Sequence, residues 1–151
     1  MQNLVRAGAL AAVLSLSGAF ATAHAQTAER VYDNGPVWVL SYVETKPGMF
    51  DDYMAYLSGK WREINEADKK AGYVLDYKIL AVNDARDHEP DVLLMVEYKN
   101  MAAFDRPLAE QEATNAKAFG SVVKSNQAFA SRDSMRTNRG VVIAREMRFI
   151  K

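Results

Sequence analysis

Residues 73–98 read YVLDYKILAVNDARDHEPDVLLMVEY, and this stretch decides the fold. Its two ends, residues 73–82 and 92–98, are rich in β-branched and aromatic side chains, which favours two strands. Residues 83–91 between them are polar, as expected for a connection that lies in solvent. The stretch therefore predicts an antiparallel hairpin whose loop is longer than the usual two to five residues.

A helix and a strand are predicted on the N-terminal side of this hairpin. Within residues 49–71, apolar side chains recur at spacings of three and four, which is typical of one buried helical stripe. The stripe comprises Phe50, Tyr53, Leu57, Trp61 and Ile64. Gly72 suits the left-handed position after a helix. Residues 37–45 (VWVLSYVET) predict a strand, which Lys46-Pro47-Gly48 ends.

A second helical region and a last strand are predicted on the C-terminal side. Asn100 can cap a helix that begins at Met101, and Pro107 predicts a break before a longer helix. The apolar stripe of the longer helix would comprise Leu108, Ala109, Ala113, Ala116, Phe119, Val122 and Val123. Residues 131–140 are polar and predict a loop, and residues 141–150 (VVIAREMRFI) predict the last strand.

The resulting order, β-α-β-β-α-β, predicts an α+β domain of the ferredoxin-like type, a four-stranded antiparallel sheet with helices on one face. The predicted strands are apolar on both faces, since Val37, Val39 and Val43 alternate with Trp38 and Leu40. The helices can cover only one face, and soluble monomers avoid a large exposed apolar patch. We therefore expect a homodimer, most simply with two-fold symmetry.

The chain resembles the dimeric α/β-barrel superfamily, in particular small proteins of the antibiotic-biosynthesis-monooxygenase type. The resemblance rests on Lys46-Pro47-Gly48 before the first helix and on residues 98–105 (YKNMAAFD), which lead from a strand into the second helix. It implies a dimeric α/β barrel with a pocket between sheet and helices. It also implies that Ser41 and Tyr98 occupy positions of polar pocket residues. Haem-binding relatives carry a histidine on or near the second helix, and residues 101–130 contain none.

Residues 1–25 have the three parts of a cleavable secretory signal. Arg6 is their one charged side chain, residues 7–21 are uncharged and largely apolar, and Ala23-x-Ala25 is a small-x-small cleavage pattern. Cleavage after Ala25 would export the chain to the periplasm or beyond. Residues 26–36 would then form a polar leader and residues 37–151 a single domain. The apolar run is shorter than the roughly 20 residues of a membrane anchor, so we expect no anchor after cleavage.

The composition argues against several classes of function. Lys and Arg together number 19, as do Asp and Glu, so no basic excess favours nucleic-acid binding. The sequence has no Cys and two His, of which His24 falls in the predicted signal. His88 lies in the acidic loop between the hairpin strands, where it could ligate a metal or act as a base. Without a second His, we interpret it as part of a solvated loop, and we expect no metal and no cofactor.

The strongest candidate for chemistry is Arg145, which lies on the apolar side of the last strand and is expected to be buried. A buried Arg needs an anionic partner. That partner would be Glu97 or Asp76, or else the carboxylate or phenolate of a substrate. We predict Arg145, Tyr98 and Ser41 as catalytic residues. The predicted substrate-binding residues are Trp61, Tyr42, Tyr77 and Glu97, although an aromatic residue at the spacing of Trp61 is more often simply part of the core.

Two functional hypotheses follow. The first is an exported, cofactor-independent enzyme of oxygenase, isomerase or lyase type, acting on a small apolar or aromatic compound through proton transfer. The second is a non-catalytic dimeric module that binds a small molecule or has a structural role. A fold shared by many activities does not decide between them.

Overall fold

Four strands form one antiparallel sheet in this computed structural model, which describes residues 29–150. The predicted signal, residues 1–25, lies outside the described residues. The strands are β1 (Tyr32–Thr45), β2 (Val74–Ala81), β3 (Val92–Tyr98) and β4 (Arg136–Phe149), in the spatial order β2-β3-β1-β4. This order, with helical segments between β1 and β2 and between β3 and β4, confirms the predicted ferredoxin-like α+β fold.

Two strands, β1 and β4, begin earlier in the chain than the sequence predicts. β1 begins at Tyr32, which pairs with Phe149, so residues 32–36 of the predicted polar leader belong to the strand. β4 begins at Arg136, so much of the predicted loop 131–140 is also strand. Backbone pairing between strands tolerates polar side chains, so hydropathy alone underestimated the lengths of both strands. At Gly35, where the pairing is irregular, a Cβ would come within 3.0 Å of Glu146.

The first helical region is continuous from Phe50 to Lys70, as its apolar stripe predicts. It consists of α1 (Phe50–Tyr56), a π-helical segment (Leu57–Trp61) and α2 (Arg62–Lys70). Gly72 adopts a φ of 83° just after the region ends, which confirms its predicted role. Tyr53 and Leu57 are completely buried, so the middle of the predicted stripe faces the sheet, whereas Phe50 at its start is 39% exposed.

The second helical region begins as predicted. The Asn100 side chain accepts a hydrogen bond from the Ala102 backbone N–H at 3.0 Å, and a 3₁₀ turn (Met101–Asp105) follows. Pro107 then precedes α3 (Leu108–Phe119).

The predicted apolar stripe of this region is wrong. Leu108 is 68% exposed and Val123 is 66% exposed. Gly120, with a φ of 87°, ends α3, and Ser121 caps a separate helix, α4 (Val122–Ser131). Because the chain leaves the helical conformation at Gly120 and Ser121, one continuous helical periodicity does not describe both segments. A further 3₁₀ turn (Arg132–Ser134) leads into β4.

The core lies between the first helical region and the middle of the sheet. The buried side chains that form it are Val43, Tyr53, Leu57, Val92 and Leu94. Within residues 29–150, none of the helices has both the length and the apolar character needed to cross a bilayer.

The other face of the sheet carries an apolar patch that the described helices do not cover, flanked by the charged side chains of Lys78 and Glu97. Leu40 pairs with Met95 on β3 and with Val142 on β4, and Tyr42 pairs with Leu93. Val142 is 47% exposed, whereas the central residues are half-buried. We call the patch formed by Leu40, Tyr42, Leu93, Met95 and Val142 the open sheet face.

The core packing predicts the cost of shortening Leu57. Leu57→Ala should lower the free energy of unfolding by about 2–5 kcal/mol, because a completely buried side chain would leave a cavity. Leu108→Ala is the matched control, since its exposed side chain should change the value by less than about 0.5 kcal/mol. Urea unfolding of both variants measures this, and equal effects would contradict the packing described.

Candidate functional site

A cavity of about 250 Å³ lies between the end of the first helical region, the ends of β2 and β3, and the start of α3. Its lining combines aromatic rings with polar side chains. The lining residues are Asp68, Tyr73, Tyr98, Ala103, Phe104, Arg106, Gln111 and Asn115. This combination suits a small ligand that stacks on rings and accepts or donates a few hydrogen bonds.

Tyr98 is the cavity's best-placed functional group. It ends β3 on the side that faces the helices, and its ring centre lies 5.0 Å from that of Phe104. Burial raises the pKa of the Tyr98 phenol above its usual range, and the negative charge of Asp68 adds to this. The hydroxyl therefore stays protonated at neutral pH. It forms no hydrogen bond with the described part of the chain, so it is available to donate one to a ligand.

Arg106 forms one wall of the cavity, and its terminal nitrogens are bound, whereas its buried Nε has no hydrogen-bond partner within residues 29–150. Its guanidinium pairs with Asp68 at 2.6 Å, and the two side chains are only 9% and 18% exposed. It also donates to the Thr114 hydroxyl at 2.6 Å and to the Glu110 carbonyl at 3.0 Å. The Tyr73 ring lies 3.9 Å beneath it. Arg106 is therefore a positioning residue that joins the first helical region to α3.

The edge of the cavity carries a second tyrosine, Tyr73. Its hydroxyl donates to the Glu110 carboxylate, and this hydrogen bond is the main reason that the pKa of the Tyr73 phenol is raised. The Gln111 side chain also lines the cavity, and its amide nitrogen donates to the Arg106 carbonyl at 3.3 Å.

The sequence predicts Tyr98 but not Arg106, Asp68 or Tyr73. Arg106 and Asp68 are 38 residues apart in the chain, and no local spacing relates them. The one signal near Arg106 is the helix break before Pro107, which places Arg106 in an irregular segment between two helices.

Ser41 and Tyr98 share the side of the sheet that faces the helices, but they do not form one site. Tyr98 pairs with Val37, which lies four residues before Ser41 on β1. Four strand residues span roughly 13 Å, and Ser41 is not part of the cavity lining.

Arg145 is exposed, and the prediction that it is buried is wrong. It pairs with Val37 on the edge strand β4, beyond the reach of the helices. Within residues 29–150 it forms no ion pair with Glu97 or Asp76. Asp76 instead binds Lys69 at 3.0 Å near the opposite edge. The sequence error is physical in origin, because an edge strand and a central strand can carry the same apolar alternation.

The four predicted substrate-binding residues separate into two pairs. Trp61 and Tyr77 meet edge-to-face at 5.2 Å between the first helical region and β2, and the Tyr77 hydroxyl donates to Glu66. Trp61 packs against the core, and neither ring lines the cavity. Tyr42 and Glu97 point to the other side of the sheet, because Tyr42 pairs with Leu93 and Glu97 with Trp38.

His88 lies in the hairpin loop and is 82% exposed. Its Nδ1 is 3.1 Å from the Arg139 guanidinium and 3.6 Å from the Glu44 carboxylate. Among the described residues, no group of three or more His, Cys, Asp or Glu side chains is arranged to hold a metal ion.

Comparison with known proteins identifies similar structures but no family. No protein-family model matches the sequence, and no curated protein is significantly similar to it. One similar solved structure is HapK from Hahella chejuensis, with 7% identity, a TM-score of 0.46, and coverage of 73% of this chain and 91% of HapK. Protein SO0527 from Shewanella oneidensis has 17% identity and a TM-score of 0.47, over 80% of this chain and 99% of its own. A dimeric ferredoxin-like protein from an uncultured marine organism has 17% identity and a TM-score of 0.47, over 77% and 98%.

The burial of Tyr98 predicts a loss of stability in alkaline solution. The unfolded chain releases the phenol proton near pH 10, whereas the folded chain holds it to higher pH. The contribution of the Tyr98 phenol to the free energy of unfolding is therefore fully present below about pH 10 and is lost as the pH rises through the folded-state pKa. Urea unfolding across this range should show a smaller alkaline loss in Tyr98→Phe than in the wild type. Identical pH profiles would show that the Tyr98 pKa is not raised.

Proposed function

We propose that the mature chain, beginning at Gln26, is an exported homodimer that binds a small aromatic or largely apolar molecule in the Tyr98 cavity. The observation that carries this proposal is the Tyr98 hydroxyl, which is protonated, has no partner in the described residues and lines a cavity of aromatic rings. The N-terminal sequence of the exported protein tests the position of cleavage, and a retained residue 1–25 segment would contradict it.

The cavity lining indicates the ligand's chemistry. At about 250 Å³ the cavity is slightly smaller than typical ligand pockets, so it suits a compound with a single ring. Phe104 and Tyr98 offer ring faces, while Gln111 and Asn115 offer amide groups. Since Asp68 already neutralises Arg106, the cavity does not require an anionic ligand.

A catalytic form of the same proposal is supported by the position of the Tyr98 hydroxyl in the cavity lining. A phenol that stays protonated can act as a general acid towards a carbonyl oxygen of the bound compound. This fits cofactor-independent enzymes of isomerase or lyase type, and oxygenase chemistry on the same small compounds is the other alternative. Tyr98 is the residue that would touch the substrate, while Arg106 would only hold the wall in place.

A thermal-shift screen against phenols, lactones and quinones tests the ligand proposal. A bound compound should raise the melting temperature, because ligand that binds only the folded state stabilises it. Tyr98→Phe should weaken binding about two- to tenfold through loss of one hydrogen bond, and Tyr32→Phe, at an exposed position of β1, should not.

Two results would contradict the assignment of the ligand site to the Tyr98 cavity. One is the absence of any shift across the screen. The other is a ligand whose binding survives Tyr98→Phe and is lost in Arg145→Ala, which would place the site at β4. If a ligand is converted, the rate with Tyr98→Phe distinguishes catalysis from binding alone, since a general acid contributes typically 10²–10⁴-fold.

The open sheet face supports the homodimer. Leu40, Met95 and Val142 form a contiguous apolar row across three neighbouring strands. Exposed apolar patches of this kind mark interaction surfaces. A second copy is the occupant that we propose, because the same patch on two chains can pack face to face around a two-fold axis.

Light scattering should give about twice the mass of one mature chain. Val142→Glu should weaken the dimer at least about a hundredfold, because it places a charge in a contact that excludes water. Val142 is already 47% exposed in the single chain, so the variant should fold. Val123→Glu on the helical side is the matched control and should stay dimeric. A wild-type monomer at micromolar concentration would exclude this assembly.

A further inference from the structure

Two tyrosines on α1 have buried hydroxyls that bind nothing in the described part of the chain. Tyr53 and Tyr56 lie one helical turn apart, and their rings stack with centres 6.2 Å apart and planes 10° from parallel. Tyr53 is completely buried. Neither hydroxyl oxygen is accessible to solvent, and neither forms a hydrogen bond within residues 29–150. Native proteins rarely leave buried polar groups in this state, so each such group calls for an explanation.

Two arginines lie beside these tyrosines without a carboxylate partner among the described residues. The Arg136 guanidinium, at the start of β4, is 5.9 Å from the centre of the Tyr53 ring. The Arg132 guanidinium is 5.7 Å from the centre of the Tyr56 ring. The buried Nε of Arg136 also lacks a hydrogen bond within the described part of the chain. Two positive charges therefore lie beside two buried phenols, and neither arginine forms an ion pair with a carboxylate of the described residues.

The carboxylate that acts on Tyr53 does not compensate the two arginine charges. The Asp91 carboxylate influences Tyr53, but it accepts hydrogen bonds from the Thr45 backbone at 2.8 Å and from the Thr45 hydroxyl. Burial raises the pKa of both Tyr53 and Tyr56, while Arg136 and Arg132 act to lower it. With the pKa values raised, both phenols remain protonated at neutral pH and present donors.

Arg132 is half-exposed and lies over two aromatic rings. Its guanidinium is 4.7 Å from the centre of the Phe129 ring as well as lying beside Tyr56. Its Nε donates a hydrogen bond to the Phe129 carbonyl at 3.3 Å, and its guanidinium acts on the Tyr56 phenol to lower the pKa against the effect of burial. Binding at the cluster requires Arg132 to make room for the ligand, and a long, half-exposed side chain can change rotamer rapidly.

We propose that Tyr53, Tyr56, Arg132 and Arg136 bind a compact oxyanion, either the carboxylate of a small organic acid or inorganic phosphate. Guanidinium groups and phenol hydroxyls are the donors that such an anion needs. The site is separate from the Tyr98 cavity and shares no lining residue with it. Val43, which packs with Tyr53, lies six residues along β1 from Val37, which pairs with Tyr98, a separation of roughly 20 Å.

The test measures the melting temperature of the mature protein with acetate, benzoate or phosphate, at ionic strength balanced with chloride. At least one anion should give a saturable increase. Tyr53→Phe and Arg136→Gln should each weaken binding by about tenfold or more, since each removes a hydrogen bond to a charged group. Arg148→Gln, at an exposed position of β4, and Tyr98→Phe should keep the wild-type response.

A readout without ligand separates binding from a purely structural role. Tyr53→Phe removes a buried hydroxyl that has no partner in the described chain, so it should leave the melting temperature unchanged or raise it. A fall in the anion-free melting temperature would show that the hydroxyl serves the fold and would overturn the proposal.

Which of the three anions raise the melting temperature identifies the chemical class of the ligand. A response to phosphate alone indicates an inorganic anion, and a response that is stronger for benzoate than for acetate indicates an organic acid. Either supports the proposal. No saturable response to any of the three, or a response that Tyr53→Phe and Arg136→Gln leave unchanged, would overturn it.

Discussion

β1 pairs with β3 along one side and with β4 along the other, and the rest of the structure depends on this double pairing. The pairing places Val37 and Val43 at the two ends of the layer between sheet and helices, and both are completely buried. The Tyr98 cavity lies at the Val37 end, and the cluster of Tyr53, Tyr56 and two arginines lies at the Val43 end. One central strand therefore sets the separation and orientation of both candidate sites.

The two sites differ in how their charges are balanced. In the cavity, the charge of Arg106 is matched by that of Asp68, whose carboxylate lies 2.6 Å from the guanidinium. At the other end, Arg132 and Arg136 have no carboxylate partner within residues 29–150. A buried charge without a partner is costly, whereas a matched pair can serve as a rigid wall. The same fold thus offers a neutral pocket and an electropositive cluster.

Local patterns explain how much of the fold could be predicted. The spacing of Tyr53 and Leu57 places both on one helical face, and both are buried. Asn100 and Gly72 act at helix ends as their side-chain chemistry and backbone freedom predict. The wrong prediction for Arg145 comes from tertiary packing instead. Whether Arg145 is buried depends on what covers β4. An edge strand with apolar side chains looks the same in sequence whether a helix covers it or not.

The sequence by itself determined the order of the elements and the side of the sheet that Tyr98 and Ser41 face. Both follow from the periodicity of apolar side chains, which is two residues in a strand and three to four residues in a helix. The tertiary structure alone decided which distant side chains meet. Asp68 and Arg106 are 38 positions apart, and Tyr53 meets Arg136 only because β4 returns beside β1. Such contacts depend on how helices and strands stack, which residue spacing does not encode. The candidate sites therefore became visible only in three dimensions.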